Sequence, residues 1–144
     1  SSVFSIGTPL MANKSGDSII AYCFAEKQGY SKFSSYIGNG NADGTFIYTG
    51  FKPAFVMVKN STASSTSWEI YDNKRDGFNN QNRRLFPNLS DAEPSAQDRL
   101  AILSNGFKIL TSASHLGSSG ATYIYMAFAE NPFVTSTGVP ATAR

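Results

Sequence analysis

The sequence predicts a single all-β domain, an antiparallel β-sandwich or jelly-roll-like fold with almost no helix. Short runs of β-branched and aromatic residues recur along the 144 residues, separated by turns rich in Gly, Asn and Ser. Aromatic residues make up 13% of the chain and charged residues 15%, whereas an average domain has about 25% charged residues. This balance is typical of β-rich extracellular proteins rather than of helical cytosolic enzymes.

Composition also limits the partners. The formal net charge is +2, which is too small to predict a nucleic-acid partner or an anionic membrane surface. Cys23 is the only cysteine, so the chain can form neither an internal disulfide nor a multi-cysteine zinc site. No run approaches the roughly 18 apolar residues of a membrane-spanning helix. We therefore expect no membrane insertion, no metal and no cofactor, and an inert, buried Cys23.

Two similar segments give the strongest strand prediction. Ile20–Glu26 and Ile124–Glu130 both begin with Ile and end in Phe-Ala-Glu. Side chains alternate between faces in an extended chain, so each segment has one large-residue face and one small-residue face, which includes Ala127. A strand that is apolar on both faces lies centrally in a sheet. Both segments are therefore predicted as central strands.

These strands define the domain boundaries. The predicted β-sandwich domain covers residues 19–134. An N-terminal arm or edge strand precedes it at 1–18, and a polar C-terminal tail follows at 135–144. The chain begins with Ser-Ser-Val-Phe and not with Met, and it has no signal-peptide pattern, so we expect the trimmed end of a longer chain.

The chain after Ile20–Glu26 predicts two strands around a tight reversal. Residues 29–38 alternate loosely, which favours a strand broken by a bulge. Glycines and asparagines at 38–44 permit positive φ, and a strand pattern resumes at 45–49. The reversal resembles a glycine-aspartate calcium loop, but its single carboxylate, Asp43, favours a plain loop without a metal.

The later part of the chain predicts two hairpins. A buried run at 54–59 and an alternating strand at 67–72 flank an uncharged Ser/Thr loop, whose tip we expect to be mobile. Apolar runs at 100–104 and 107–110 flank Asn105-Gly106, a dipeptide favoured in two-residue type I′ turns. We therefore predict a type I′ hairpin there.

Most candidate binding residues lie in two polar loops, at 72–90 and 111–121. Exposed loops on a rigid scaffold often carry binding sites. Basic side chains there could hold a sulfated or phosphorylated glycan, although a solvated surface is their commoner role. The candidates in these loops are Lys74, Arg75, Arg83, Arg84 and His115.

Trp68 and His115 each allow two interpretations. Trp68 could stack on a sugar ring, but it shares a strand face with Ile70, which favours burial in the core. His115 is the only histidine, and no nucleophile-elbow pattern surrounds it. We expect His115 to be an exposed loop side chain or a ligand contact rather than a catalytic base.

Glu26 and Glu130 are the carboxylates that could hydrolyse a glycoside. They occupy equivalent positions at the ends of the two predicted central strands. A carboxylate at such a position can accept hydrogen bonds from nearby loop N–H groups. We therefore favour a structural role for both residues and predict that the protein is not an enzyme.

Four segments, taken together, resemble a known family. They are Ala21–Tyr30, Tyr48–Lys59, Leu103–Lys108 and Tyr123–Phe133. They resemble a domain found in tail-fibre and other structural proteins of marine bacteriophages, especially those of cyanobacteria. The resemblance covers roughly residues 19 to 134 and supplies no catalytic residues.

The resemblance implies a virion protein, extracellular once the particle is assembled. It implies other virion subunits as partners and a homotrimer as the assembly. We expect attachment to a host-surface glycan or protein through the loops. Two alternatives stay open: a purely structural capsid or fibre assembly module, and a glycan-degrading enzyme that uses Glu26 and Glu130.

Overall fold

The structure, a computed structural model, describes residues 3–76, 79–95, 97 and 99–131. These residues form seven strands and one short helix. The elements are α1 (Leu10–Asn13), β1 (Ser31–Ile37), β2 (Phe46–Tyr48), β3 (Pro53–Asn60), β4 (Glu69–Asp72), β5 (Leu100–Leu103), β6 (Gly106–Ile109) and β7 (Thr122–Ala129). Strands therefore dominate the secondary structure of the described residues, and the helix has only four residues, which confirms the prediction of a small all-β domain.

The strands form two antiparallel sheets. One has the order β1-β7-β3-β4, and the other has the order β2-β6-β5. Their facing sides share one apolar core. Phe107 of β6 packs edge-on against Tyr36 of β1 and Tyr125 of β7, with ring centroids 6.4 and 5.3 Å apart. The two sheets therefore pack face to face as in a sandwich.

Buried tyrosines fasten the 111–121 loop to this core. Tyr36 stacks on Tyr123 across the β1–β7 pair, with centroids 4.9 Å apart. The Tyr36 hydroxyl donates to the Leu116 carbonyl at 2.9 Å, and the Tyr123 hydroxyl donates to the Ser114 carbonyl at 3.0 Å. The rings fill the core while their hydroxyl groups satisfy loop backbone groups. This loop, which contains His115, is therefore held at a fixed position.

The prediction for the second of the similar segments is confirmed. β7 is a central strand, with β1 on one side and β3 on the other. Ala127 lies opposite Lys32 and Val56 and is fully buried. The alternate residues of β7 face away from the core, where Ile124 is partly exposed.

The prediction for the first segment is wrong. Residues 19–26 form no strand, and Ile20 and Tyr22 are 77% and 81% exposed. Phe24 alone makes ring contacts there, with Phe33 and Phe128 at centroid distances of 6.1 and 5.9 Å. Cys23 is exposed, not buried. The two segments share strand-forming residues, but only β7 has strand neighbours, and β-propensity depends on such neighbours.

The predicted bulge lies elsewhere. β1 pairs with β7 in an unbroken register, and the register shift falls between Pro53 and Phe55 in the β3–β7 pair. The hairpin of β3 and β4 is confirmed. The tip that we expected to be mobile is tied by Asn60, whose Oδ1 accepts from the backbone N–H groups of Thr62 and Ala63 at 2.8 and 3.0 Å.

The second hairpin is confirmed, but its turn is not the predicted one. Leu103 pairs with Gly106, so the two loop residues are Ser104 and Asn105. Neither has a positive φ, whereas both central residues of a type I′ turn require one. A Cβ on Gly106 would lie 2.1 Å from the carbonyl oxygen of Ile47. Gly106 is therefore needed for the close approach of β6 to β2.

Two further predictions concern the ends of the chain and the membrane. Residues 3–9 form no strand and are exposed, which fits an arm rather than an edge strand. The tail at 135–144 lies outside the described residues. Within the described part of the chain, no helix is long and apolar enough to cross a membrane.

Candidate functional site

A group of charged and polar residues lies inside the sandwich, beside β4. Glu69 and Tyr71 are fully buried. The Tyr71 hydroxyl donates to Glu69 Oε2 at 2.5 Å. Arg84 Nε lies 3.2 Å from Glu69 Oε1, and His115 Nδ1 lies 3.7 Å from the same oxygen. These four residues are termed the buried cluster.

The buried cluster reverses the predicted orientation of β4. In the sheet register Glu69 lies opposite Val58 and Tyr71 lies opposite Val56, both core residues. Trp68 therefore does not reach the core. It is partly buried just before β4, where its backbone N–H donates to Asn88 Oδ1 at 3.0 Å.

Glu69 is paired by charge more than by hydrogen bonds. Arg84 Nε and His115 Nδ1 are close to Oε1 but are not aligned for a hydrogen bond, so all three atoms lack such a partner among the described residues. A buried carboxylate is costly unless a charge compensates it. Burial, together with the Glu69 charge, raises the pKa of Tyr71 well above its usual range. Tyr71 therefore remains a donor to Glu69.

The arrangement of the buried cluster favours an anchoring role. Arg84 belongs to the stretch between β4 and β5, and His115 belongs to the loop before β7. Both side chains meet a carboxylate that solvent does not reach. His115 is thus not the freely exposed side chain that we expected, although its side chain is still 36% exposed. The cluster ties two long loops to β4.

The other basic candidates are already paired with carboxylates. Arg75 forms an ion pair with Glu93, and Arg83 Nη1 lies 3.9 Å from the same carboxylate. Lys74 Nζ lies 3.5 Å from Glu130 Oε1. The structure therefore brings Arg75 and Arg83 together around one acidic residue. This pairing weakens the case for a sulfated or phosphorylated ligand there.

Glu26 and Glu130 are paired with lysines. Glu26 Oε1 lies 2.8 Å from Lys32 Nζ, and Glu130 Oε2 lies 2.6 Å from Lys52 Nζ. The expected loop N–H donors are therefore not the main partners. The hydrogen bond from Lys32 lowers the pKa of Glu26, and the one from Lys52 lowers the pKa of Glu130. A glycosidase acid needs a raised pKa, so both shifts run against that role.

A groove opens on the surface beside Glu26. It has a volume of about 490 Å³ and lies between the turn before β1 and the end of β2. Tyr48 presents its ring here and is 64% exposed. The lining side chains are Glu26, Lys27, Gln28, Lys32, Tyr48 and Thr49. This site is termed the surface groove.

The surface groove combines an aromatic ring with several polar groups. Such a ring offers an apolar face and a hydroxyl at its rim. Carboxylate, amide and ammonium groups can hydrogen-bond to the hydroxyl groups of a ligand. This site was not predicted from the sequence, because its two walls are separated along the chain. The available signal is a glycine beside each wall, Gly29 and Gly50, which both have positive φ and so permit tight turns.

The described residues provide no clear metal site. They contain no group of three or more His, Cys, Asp and Glu residues that could hold a metal ion. Asp43, the carboxylate of the calcium-like loop, forms an ion pair with Lys108. The hydrogen bond from Lys108 lowers the pKa of Asp43. This arrangement fits the plain loop that the sequence favoured.

Comparison with known proteins gave a family but no individual relative. No curated protein and no solved structure matched the chain. A family model described as "Domain of unknown function (DUF7483)" matches residues 1–132. The match includes every strand of both sheets. The chain therefore belongs to the family described as Domain of unknown function (DUF7483).

Proposed function

We propose that this domain is a non-enzymatic attachment module that binds a host-surface glycan in the surface groove. The observation that carries the proposal is the exposed ring of Tyr48 beside polar side chains, in a groove of about 490 Å³. That volume falls within the range of small-ligand sites. An aromatic ring flanked by hydrogen-bonding groups suits a sugar, which has both apolar faces and hydroxyl groups.

The charges of the groove suggest the class of glycan. Glu26 and Lys32 form an ion pair with each other, so neither presents a free charge to the ligand. Gln28 and Thr49 add neutral donors and acceptors. Lys27 leaves the groove with a single net positive charge, which is too small to favour a multiply sulfated or phosphorylated glycan over a neutral oligosaccharide.

The proposed location is a phage virion, where the domain would form part of a tail fibre or related appendage. Support comes from the four segments that resemble tail-fibre and other structural proteins of marine bacteriophages. The module would then be extracellular in the assembled particle and would contact other virion subunits. Host-surface protein is the second ligand class that this resemblance suggests.

An array of bacterial surface oligosaccharides tests the proposal. We expect the full chain to bind neutral glycans, with little change when salt is raised, because no net charge is paired on binding. Tyr48→Ala should lower affinity about five- to thirtyfold, because loss of a stacked ring costs roughly 1 to 2 kcal/mol. Phe46→Ala, in the same strand but outside the groove, is the matched control and should bind like the unaltered chain.

Two outcomes would contradict glycan binding in this groove. One is the absence of binding both to the array and to host cells. The other is equal binding by the unaltered chain and Tyr48→Ala. Binding that falls steeply with salt would instead indicate an anionic glycan and a site among the basic residues.

A further inference from the structure

An apolar segment near the N-terminus lies uncovered on this chain. Residues 18–24 include Ile19, Ile20, Tyr22 and Phe24, whose side chains are between 50% and 81% exposed. The backbone of 18–24 makes no hydrogen bond to another described residue. A contiguous apolar surface of this kind marks an interaction site more often than solvent-facing chain. Its similarity to β7 further indicates that it can form a strand.

The outer side of β1 is an open sheet edge. In an antiparallel strand, the N–H and C=O of one residue point to the same side. The Tyr30 carbonyl accepts from Ala129 N–H at 2.8 Å. The backbone N–H and C=O groups of Tyr30, and of every second residue after it, therefore point toward β7. Ser35 therefore faces away, and its backbone has no partner among the described residues. Such an edge can accept another strand.

Among the described residues, the chain covers this edge at its two ends and at Phe33, whose backbone N–H donates to the Glu26 carboxylate. Lys27 and Ser31 exchange backbone hydrogen bonds of 3.3 and 2.9 Å, and Thr45 Oγ1 donates to the Ile37 carbonyl at 2.8 Å. Before Glu26 the backbone no longer runs along the edge of β1. There the Phe24 ring packs against Phe33 and Phe128 on one face of the sheet. Within the described part of the chain, each copy thus has a strand-like segment without a partner strand and, around Ser35, a stretch of sheet edge without one.

We propose that residues 18–24 of one copy add as a strand to the free edge of β1 in a second copy. Backbone groups of the segment would pair with those around Ser35, and its apolar side chains would cover Ile37, which is 62% exposed. Strand addition of this kind takes its affinity from main-chain hydrogen bonds and its specificity from alternate side chains. Residues 26–32 keep their place, so the surface groove is preserved.

The area available is sufficient for such an interface. A fully exposed side chain of this size has an area of about 150 to 200 Å². The exposed fractions of Ile19, Ile20, Tyr22 and Phe24 therefore correspond to about 400 to 530 Å² of accessible surface per chain. Complete coverage of these side chains in a reciprocal pair would bury about 800 to 1,060 Å², and Ile37 would add about 100 Å² from each copy. The total reaches the roughly 1,000 to 1,200 Å² at which specific interfaces begin.

The solution mass of the full chain, measured by light scattering over a wide concentration range, tests this proposal. We expect a dimer or larger closed assembly for the unaltered chain. The double variant Ile20→Lys, Tyr22→Lys places charge on the segment and should give monomers. Ser35→Pro should do the same, because it removes an outward N–H while leaving the inward β1–β7 bonds in place. Leu89→Lys, an exposed apolar position elsewhere in the chain, is the control and should keep the assembly.

Circular dichroism checks that each variant is folded, and Ile37→Lys replaces Ser35→Pro if the proline variant does not fold. Monomers of the unaltered chain at every concentration would overturn the proposal. So would an assembly that the segment variant disrupts but the folded edge variant preserves, because the segment would then dock elsewhere. Neither outcome bears on glycan binding, which the array measures separately.

Discussion

Glu69 shows how one residue can join distant parts of this chain. Its carboxylate lies on the inner face of β4 and accepts from Tyr71, while Arg84 and His115 approach from two different loops. A buried carboxylate without such partners would be strongly unfavourable. The stability of the fold should therefore depend on its charge.

Replacing Glu69 by Gln should lower the free energy of unfolding by about 3 to 5 kcal/mol, because Arg84 would keep a poorly solvated charge without its partner. Urea unfolding measures the loss. Glu130→Gln is the matched control, and removal of its more exposed ion pairs should cost less than about 1 kcal/mol. Equal losses for the two variants would show that Glu69 is not the anchor described above.

Acid should weaken the Glu130 ion pair. The hydrogen bond from Lys52 lowers the pKa of Glu130 in the folded chain. A carboxyl with a lowered folded pKa adds stability above its unfolded pKa of about 4.3, and that stability is lost as pH falls through the folded value. The difference in unfolding free energy between the unaltered chain and Glu130→Gln should therefore shrink below about pH 4. A difference that grows on acidification would contradict the assignment.

At the scale of the element, the similar segments Ile20–Glu26 and Ile124–Glu130 mark what the sequence could and could not predict. Their composition predicted two central strands, and only the second, β7, is one. Composition carries no information about which neighbours a segment meets, so the exposure of Ile20 and Tyr22 was not predictable. The Asn105-Gly106 pair likewise predicted the hairpin correctly, whereas the turn geometry depended on how closely Gly106 approaches β2.

Ala127→Leu tests the packing of β7. Ala127 is fully buried between Lys32 and Val56, so the larger side chain should cost about 1 to 3 kcal/mol by overpacking. Cys23 occupies the aligned position in the first segment but is exposed. Cys23→Leu should therefore leave thermal unfolding almost unchanged. A neutral result for Ala127→Leu would mean that this face of β7 is open.

Gly106→Ala tests the corrected turn. The new Cβ would meet the Ile47 carbonyl oxygen at 2.1 Å, so β2 and β6 must separate, at a cost of at least about 1 to 3 kcal/mol. Asn105→Ala should have little effect, because Asn105 does not have the positive φ of a type I′ turn. Chemical denaturation compares the two variants. A larger loss for Asn105→Ala would restore the type I′ assignment.

The candidate sites were less predictable than the strands. Arg84 and His115 were both selected from the sequence, but their common partner, Glu69, was not, because strand alternation does not show which face is turned inward. Tyr48 was recognised only as part of a strand. One wall of its groove is the turn before β1 and the other is the end of β2, and no local sequence pattern shows that these two segments meet.

At the scale of the whole molecule, the charged candidates lie in ion pairs with side chains of opposite charge. The remaining surface offers the ring of Tyr48, neutral polar groups and the uncovered apolar segment. This distribution suits a scaffold that binds a neutral ligand and assembles with its own copies. The proposed attachment function requires the groove, and the proposed assembly requires the segment, so separate variants can distinguish them.

The most direct test of the glycan-binding proposal is an NMR titration of the isotope-labelled chain with a neutral oligosaccharide that scores on the array. We expect the amide shift changes to concentrate at residues 26–32 and 48–50, and Tyr48→Ala to need a higher oligosaccharide concentration for the same changes. Changes concentrated instead around Arg75, Arg83 and Arg84 would overturn the proposal, because the ligand would then bind among the basic residues rather than in the surface groove.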